Sequence, residues 1–121
     1  MTYLERVKDM YDMSAKGKML DAFEKYYHNN VVMVEANGEA RKGKDANREF
    51  EKNFMSMIKE FHGMGINSIA SNEKDKVTMV ESWMEATMKD GKHTKMEEVA
   101  VQKWQDGQII YERFYYNPVT T

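Results

Sequence analysis

Glutamates on apolar strands carry most of the chemistry this chain could perform. Glu35 closes the β-branched run Val31-Val32-Met33-Val34. A carboxylate held against apolar walls is pushed toward its neutral form and can take a proton from a carbon acid. The same residue also fits a solvated strand end beside the Asn37-Gly38 turn. His62 stands just before Gly63, where a helical pattern stops. There it either interacts with the helix dipole or turns inward as an acid/base partner of Glu35. His28 and His93 read as surface residues, and three histidines without HxH or HExxH spacing give no metal site. The chain has no cysteine, which excludes disulfides, thiolate catalysis and Cys-ligated zinc. Any reaction is expected to run without metal or cofactor.

The elements that must position these groups fall into helices followed by an antiparallel meander. Tyr3, Leu4, Val7, Met10, Tyr11 and Ser14 recur at helical spacing and predict a helix over 2–15. Gly17 breaks it, and Met19, Leu20, Phe23, Tyr26 and Tyr27 form a short second helix that stops at His28-Asn29-Asn30. The β-branched run to Glu35 follows as the first strand. A third helix is predicted over 44–62, with Phe50, Phe54, Met57, Ile58 and Phe61 as its apolar stripe. Glu49, Glu51, Lys52 and Lys59 form its wet face, and Gly63 and Gly65 end it. Strands are expected over 65–72, 76–89, 93–105 and 108–117, with Pro118 closing the last. Asp90-Gly91 and Asp106-Gly107 are hairpin signals between alternating apolar residues. The fold class is therefore α+β: a curved antiparallel sheet wrapped around a long helix, with two N-terminal helices.

Composition bounds the partners. The 121 residues fit one domain, 1–121, and can bury a core. Eighteen basic and twenty acidic residues nearly cancel, and Arg41-Lys42-Gly43-Lys44 is too short a patch to suggest nucleic acid. No apolar run could span a bilayer and the first residues lack a signal-peptide core, so a cytoplasmic protein is expected. The twelve methionines suit loose core packing, or adaptation to varied apolar guests. The strand 76–89 is cleanly polar on neither face. Val80, Met84 and Met88 are expected on the outer one, buried against a second copy in a homodimer.

Several segments resemble the SnoaL-like branch of the nuclear transport factor 2-like superfamily. They are Phe23…Tyr27-His28-Asn29-Asn30-Val31-Val32-Met33-Val34-Glu35, then Gly38…Gly43-Lys44-Asp45-Ala46, then Trp104-Gln105-Asp106-Gly107-Gln108-Ile109-Ile110…Arg113-Phe114-Tyr115-Tyr116. The resemblance spans nearly the whole chain and implies a cone-shaped fold with a pocket. Ketosteroid isomerase is a characterised member of that superfamily. By resemblance, Glu35 matches its catalytic carboxylate and Tyr11 its oxyanion-hole tyrosine. Ala100 stands where its second oxyanion donor, a protonated Asp, would be.

The resemblance turns Trp83 and Glu85 toward the pocket. On the next strand Glu98, Gln102 and Trp104 share the facing parity, and Glu112, Phe114 and Tyr116 do so on the last. These residues would line an aromatic cavity with a few polar groups, as small-molecule sites usually do. Trp83, Trp104 and Phe114 fit core filling equally well, and a register slip of one residue would reverse every side chain. The expected function is binding of a small apolar or aromatic molecule. It is coupled either to cofactor-free isomerase, cyclase or hydro-lyase chemistry on a pocket carboxylate, or to none, in a ligand-binding or dimerisation module.

Overall fold

The computed structural model describes residues 1–117, so the reading of Pro118 lies outside the described residues. Three helices, α1 (Tyr3–Ala15), α2 (Met19–Tyr26) and α3 (Lys44–Ser56), pack on one six-stranded sheet. The strands are β1 (Tyr27–Val34), β2 (Ala40–Lys42), β3 (Ile58–Asn72), β4 (Val77–Met88), β5 (His93–Gln105) and β6 (Gln108–Tyr115). Their order is β2-β1-β6-β5-β4-β3. Every pairing is antiparallel except β1 with β6. Among the described residues no helix is long and apolar enough to cross a membrane.

Local chemistry explains most boundaries. Thr2 and Glu5 form a capping box that satisfies two of the free N–H groups at the start of α1. Tyr27 caps α2 and begins β1 with no loop between them. The core joins Val7 and Met10 of α1, Phe23 and Tyr26 of α2, and Val31 and Met33 of β1 to Val80, Trp104 and Ile109 of the sheet. Burying this apolar surface is the main force that folds the helices onto the sheet.

Three expectations are corrected. The third helix ends at Ser56, not near His62, and residues 58–64 begin β3. The Phe54–Ile58–Phe61 spacing is helical, but the backbone of β4 beyond Trp83 needs a hydrogen-bonding neighbour, and residues 58–65 supply it. Three register shifts along β3 bend this edge of the sheet. Second, β4 presents the opposite face to the one expected. Thr78, Val80, Ser82 and Ala86 are buried, whereas Met79 and Glu81 are exposed. Val80 is therefore core and unavailable to a partner.

The cause of the reversed face is the loop at Asp90-Gly91. Gly91 has positive φ but Asp90 does not, and Thr87 pairs with His93. A two-residue turn would set Trp83 opposite Glu98. The longer loop sets Ser82 there instead. At Asp106-Gly107 both residues do have positive φ, and Gln105 pairs with Gln108 directly. The third correction is an addition: the short edge strand β2 carries no sequence signal beyond the turn that precedes it.

Candidate functional site

A cavity of about 440 Å³ opens between the helices and the concave face of the sheet. Its apolar walls come from Met10 of α1, Met19 and Phe23 of α2, Phe50 and Phe54 of α3, and Met64, Met84, Met96 and Phe114 of the sheet. Five carboxyl groups line it: Glu35 after β1, Glu51 on α3, Glu97 and Glu98 on β5 and Glu112 on β6, with Glu97 largely in solvent.

Glu112 sits deepest and is 1% exposed. The Tyr27 hydroxyl donates to one of its oxygens. Gln102 Nε2 donates to the other at 2.7 Å. Gln102 is held in turn by Thr78, whose hydroxyl donates to Gln102 Oε1 at 2.7 Å and accepts from Trp104 Nε1 at 2.9 Å. Each of these five side chains has a hydrogen-bond partner within the network, as a buried network requires. Burial pushes the Glu112 carboxyl up to about 8. The two hydrogen bonds oppose that shift, and the neighbouring Glu98 and Glu51 charges add to it. At neutral pH Glu112 is mostly protonated.

Burial likewise raises Glu98 to about 7, reinforced by the Glu35 and Glu51 charges. Glu51 is also raised to about 7 by burial, with Arg41 opposing and Glu35 adding. Tyr11 and Tyr27 are raised by burial and by the Glu112 charge, so both phenols stay neutral hydrogen-bond donors. The Tyr11 hydroxyl shares Ser82 and Gln102 as neighbours.

Glu35 is held differently. Its Oε2 accepts from Arg41 Nη2 at 2.7 Å and its Oε1 from the Tyr116 hydroxyl at 2.7 Å. Its backbone is fixed by the β1–β2 turn, where Glu35 N–H donates to the Glu39 carbonyl. Arg41 is braced by Asn47 Oδ1 at 3.1 Å and lies 3.5 Å from the centre of the Phe50 ring. Asn47 is fully buried and also ties back to the Arg41 and Gly43 carbonyls.

The fold thus brings Tyr11, Glu35, Glu98, Glu112, Phe114 and Tyr116 to one cavity. Trp83 lines it too, although its parity is that of exposed Met79. Its ring lies across β3, where Gly63 and Gly65 leave room. Gln102 lies behind the wall, and Trp104 is core against Tyr3 and Tyr26. Glu85 lies off the cavity and meets His93 at 3.0 Å. His62 also lies away from it, exposed on β3, with Nε2 2.7 Å from the Thr87 hydroxyl. Its partner is Thr87 and not Glu35, which lines the cavity and is held by Arg41 and Tyr116.

Sequence reasoning missed Tyr27, Arg41, Ser82 and Glu51. By its neighbours Glu49 and Lys52, Glu51 reads as part of the wet face of α3. Asn47, Phe50, Glu51 and Phe54 nonetheless lie at i, i+3, i+4 and i+7, one helical face, and that spacing was the available signal.

The model of the SnoaL-like domain matches residues 1–116. The chain belongs to the SnoaL-like family. This SnoaL-like protein is also similar to solved structures. A candidate SnoaL-like polyketide cyclase from Mesorhizobium loti is 28% identical, with a TM-score of 0.81 over 96% of this chain and all of that one. A candidate polyketide cyclase from Pseudomonas putida is 19% identical, with a TM-score of 0.82 over 98% and 93% of the two chains. A candidate isomerase from Bacillus subtilis is 16% identical, with a TM-score of 0.81 over 98% and 91%. The last two likenesses show the fold alone. No curated protein matches this sequence.

Proposed function

We propose that this SnoaL-like protein binds a compact, largely apolar small molecule and moves a proton on it without a cofactor, as an isomerase, cyclase or hydro-lyase does. The observation that carries this reading is the cavity in which carboxyl groups raised to about 7 and about 8 converge among aromatic and methionine walls. Groups titrating near neutrality are suited to giving and taking protons at that pH.

In this reading Glu98 is the base. Both its oxygens are free of hydrogen bonds among the described residues, so one can reach a carbon-bound proton beside a carbonyl. The electron pair left behind moves onto the carbonyl oxygen. Protonated Glu112 and neutral Tyr11 stabilise that oxyanion by hydrogen bonds. Glu112 thus takes the part of the second donor missing at Ala100, from the neighbouring strand. The proton then returns to a different carbon. Alternatively, the carbanion attacks a second carbonyl, whose oxygen then takes the proton from Glu98, or it expels a β-hydroxyl, which leaves as water with that proton. Glu35 is the other candidate base, but it is already engaged by the Arg41 guanidinium and the Tyr116 hydroxyl.

A second copy of the chain belongs to the same proposal. Met79, Val101, Val99 and Tyr115 form an apolar strip across β4, β5 and β6 on the outer face, with Met79 49% and Tyr115 51% exposed. Burial of such a strip against its twin is the usual outcome.

The test of the chemistry is proton exchange in D2O. 2-Tetralone incubated with the protein is expected to exchange its α-protons faster than in buffer, and Glu98→Gln to abolish the excess. Binding with no excess exchange would assign the cavity to ligand storage.

A further inference from the structure

The cavity contains more carboxyl groups than the protein's own cations balance. Arg41 is committed to Glu35, Asn47 and the Phe50 ring. Lys95 lines the opening but pairs with Glu97. Glu112 accepts only from the neutral Tyr27 and Gln102. Glu51 and Glu98 have no hydrogen-bond or ion-pair partner among the described residues, yet both line the cavity. A carboxylate in apolar surroundings is costly unless it is paired. The empty protein meets that cost by protonation, and a bound positive charge would meet it directly.

The walls decide what kind of cation fits. A metal ion wants a compact shell of oxygen or nitrogen ligands. No group of three or more His, Cys, Asp or Glu placed to hold one occurs among the described residues. An organic ammonium ion is weakly hydrated, gains from aromatic rings around it and from carboxylates at longer range, and brings its own apolar surface. Phe23, Tyr27, Phe54 and Phe114 provide the rings and Met10 and Met64 the adaptable apolar contacts.

The geometry points to a compact organic cation, a protonated tertiary amine or a quaternary ammonium, as the ligand class of this cavity, with its charge held by Glu51 and Glu98. This rests on the reading of the cavity as a small-molecule site and narrows it.

Binding then depends on pH in a defined direction. The groups facing the ligand are Tyr11 from α1, Tyr27 and Glu35 from β1 and its turn, and Arg41 from β2. Glu51 from α3, Lys95, Glu97 and Glu98 from β5, and Glu112 and Tyr116 from β6 and its end complete the set. The three tyrosines are raised above their ordinary range and stay neutral between pH 5 and 8. The carboxyls carry the response. A cation favours their ionised forms, so binding releases protons at pH 7, and affinity falls as acid reprotonates Glu51 and Glu98.

The test compares two probes of one shape, phenyltrimethylammonium and tert-butylbenzene, by fluorescence titration and calorimetry at pH 5, 7 and 8. The cation is expected to bind at least about tenfold more tightly at pH 8 than its neutral isostere. It is expected to lose that advantage at pH 5 and to release protons at pH 7. Glu51→Gln and Glu98→Gln are each expected to reduce the cation's advantage over the isostere at pH 8. Because the pH series uses the unmodified protein, it decides the matter even if a variant folds poorly. Equal or tighter binding of tert-butylbenzene at every pH overturns the cation assignment and leaves the small-molecule reading standing. Failure of both probes to bind overturns both.

Discussion

Replacing Glu98 by Gln keeps the side-chain shape and removes its titration. In the folded protein Glu98 titrates near 7, against an ordinary value of 4.5, because burial penalises its charge. Between those values the native state holds a proton that the unfolded chain has lost. Native stability therefore falls as pH rises through this window, the reverse of the usual salt-bridged carboxylate. The full displacement corresponds to about 3 kcal/mol, present as a penalty above pH 7 and absent below pH 4.5. Solvent entering the open cavity reduces this, leaving about 1–3 kcal/mol. Urea denaturation of the parent and of Glu98→Gln at pH 5, 7 and 9 reads the effect. The variant is expected to gain about 1–3 kcal/mol on the parent between pH 5 and pH 9, equal to several degrees in Tm for a domain of this size. Glu49→Gln, at an exposed position on α3, serves as the surface control. A constant difference between parent and Glu98→Gln from pH 5 to pH 9 would refute the reasoning, since it would mean that Glu98 titrates as an ordinary solvated carboxyl.

Other outcomes follow from the same geometry. If Glu98 is the base, Glu98→Gln lowers α-proton exchange of 2-tetralone by roughly 10²–10⁴-fold, the usual worth of a positioned general base. Glu35→Gln then costs far less, and the reverse order in the same NMR assay would transfer the role to Glu35. Gly65→Ala drives a methyl group to within 2.8 Å of Trp83 Nε1, so it is expected to cost about 1–3 kcal/mol in urea denaturation. An unchanged midpoint would mean that the indole moves aside freely. Met79→Arg on the outer sheet face is expected to convert a dimer to a monomer by light scattering at micromolar concentration. A parent protein that is already monomeric removes the dimer proposal.

Much of the fold was legible because local chemistry and tertiary demand agree. The apolar period of α1, the strong turn at Asp106-Gly107 and the inward parity of Ala100, Gln102 and Glu112 all read directly. The misreadings come from places where a distant partner decides. Residues 58–62 continue a helical stripe, yet they fold as a strand because β4 needs a neighbour along its second half. The face of β4 reversed because the backbone at Asp90 takes negative φ, which lengthens the loop by enough to move every later pair one step. The cavity's composition was only half visible. Glu98, Glu112, Phe114 and Tyr116 follow from strand parity. Arg41 sits on a three-residue edge strand without signal, and Glu51 looks like an ordinary surface glutamate until α3 is packed over the cone.

The central claim is that carboxyl groups in this cavity titrate near neutrality. The most direct measurement is a carbon-13 NMR titration of the glutamate side-chain carboxyls between pH 4 and 10, with assignment by single Glu→Gln variants. Resonances for Glu51 and Glu98 are expected to move near pH 7 and that for Glu112 near pH 8. If all three move together with the surface glutamates below about pH 5, the range of ordinary carboxyls, the cavity is not a site for proton transfer at neutral pH.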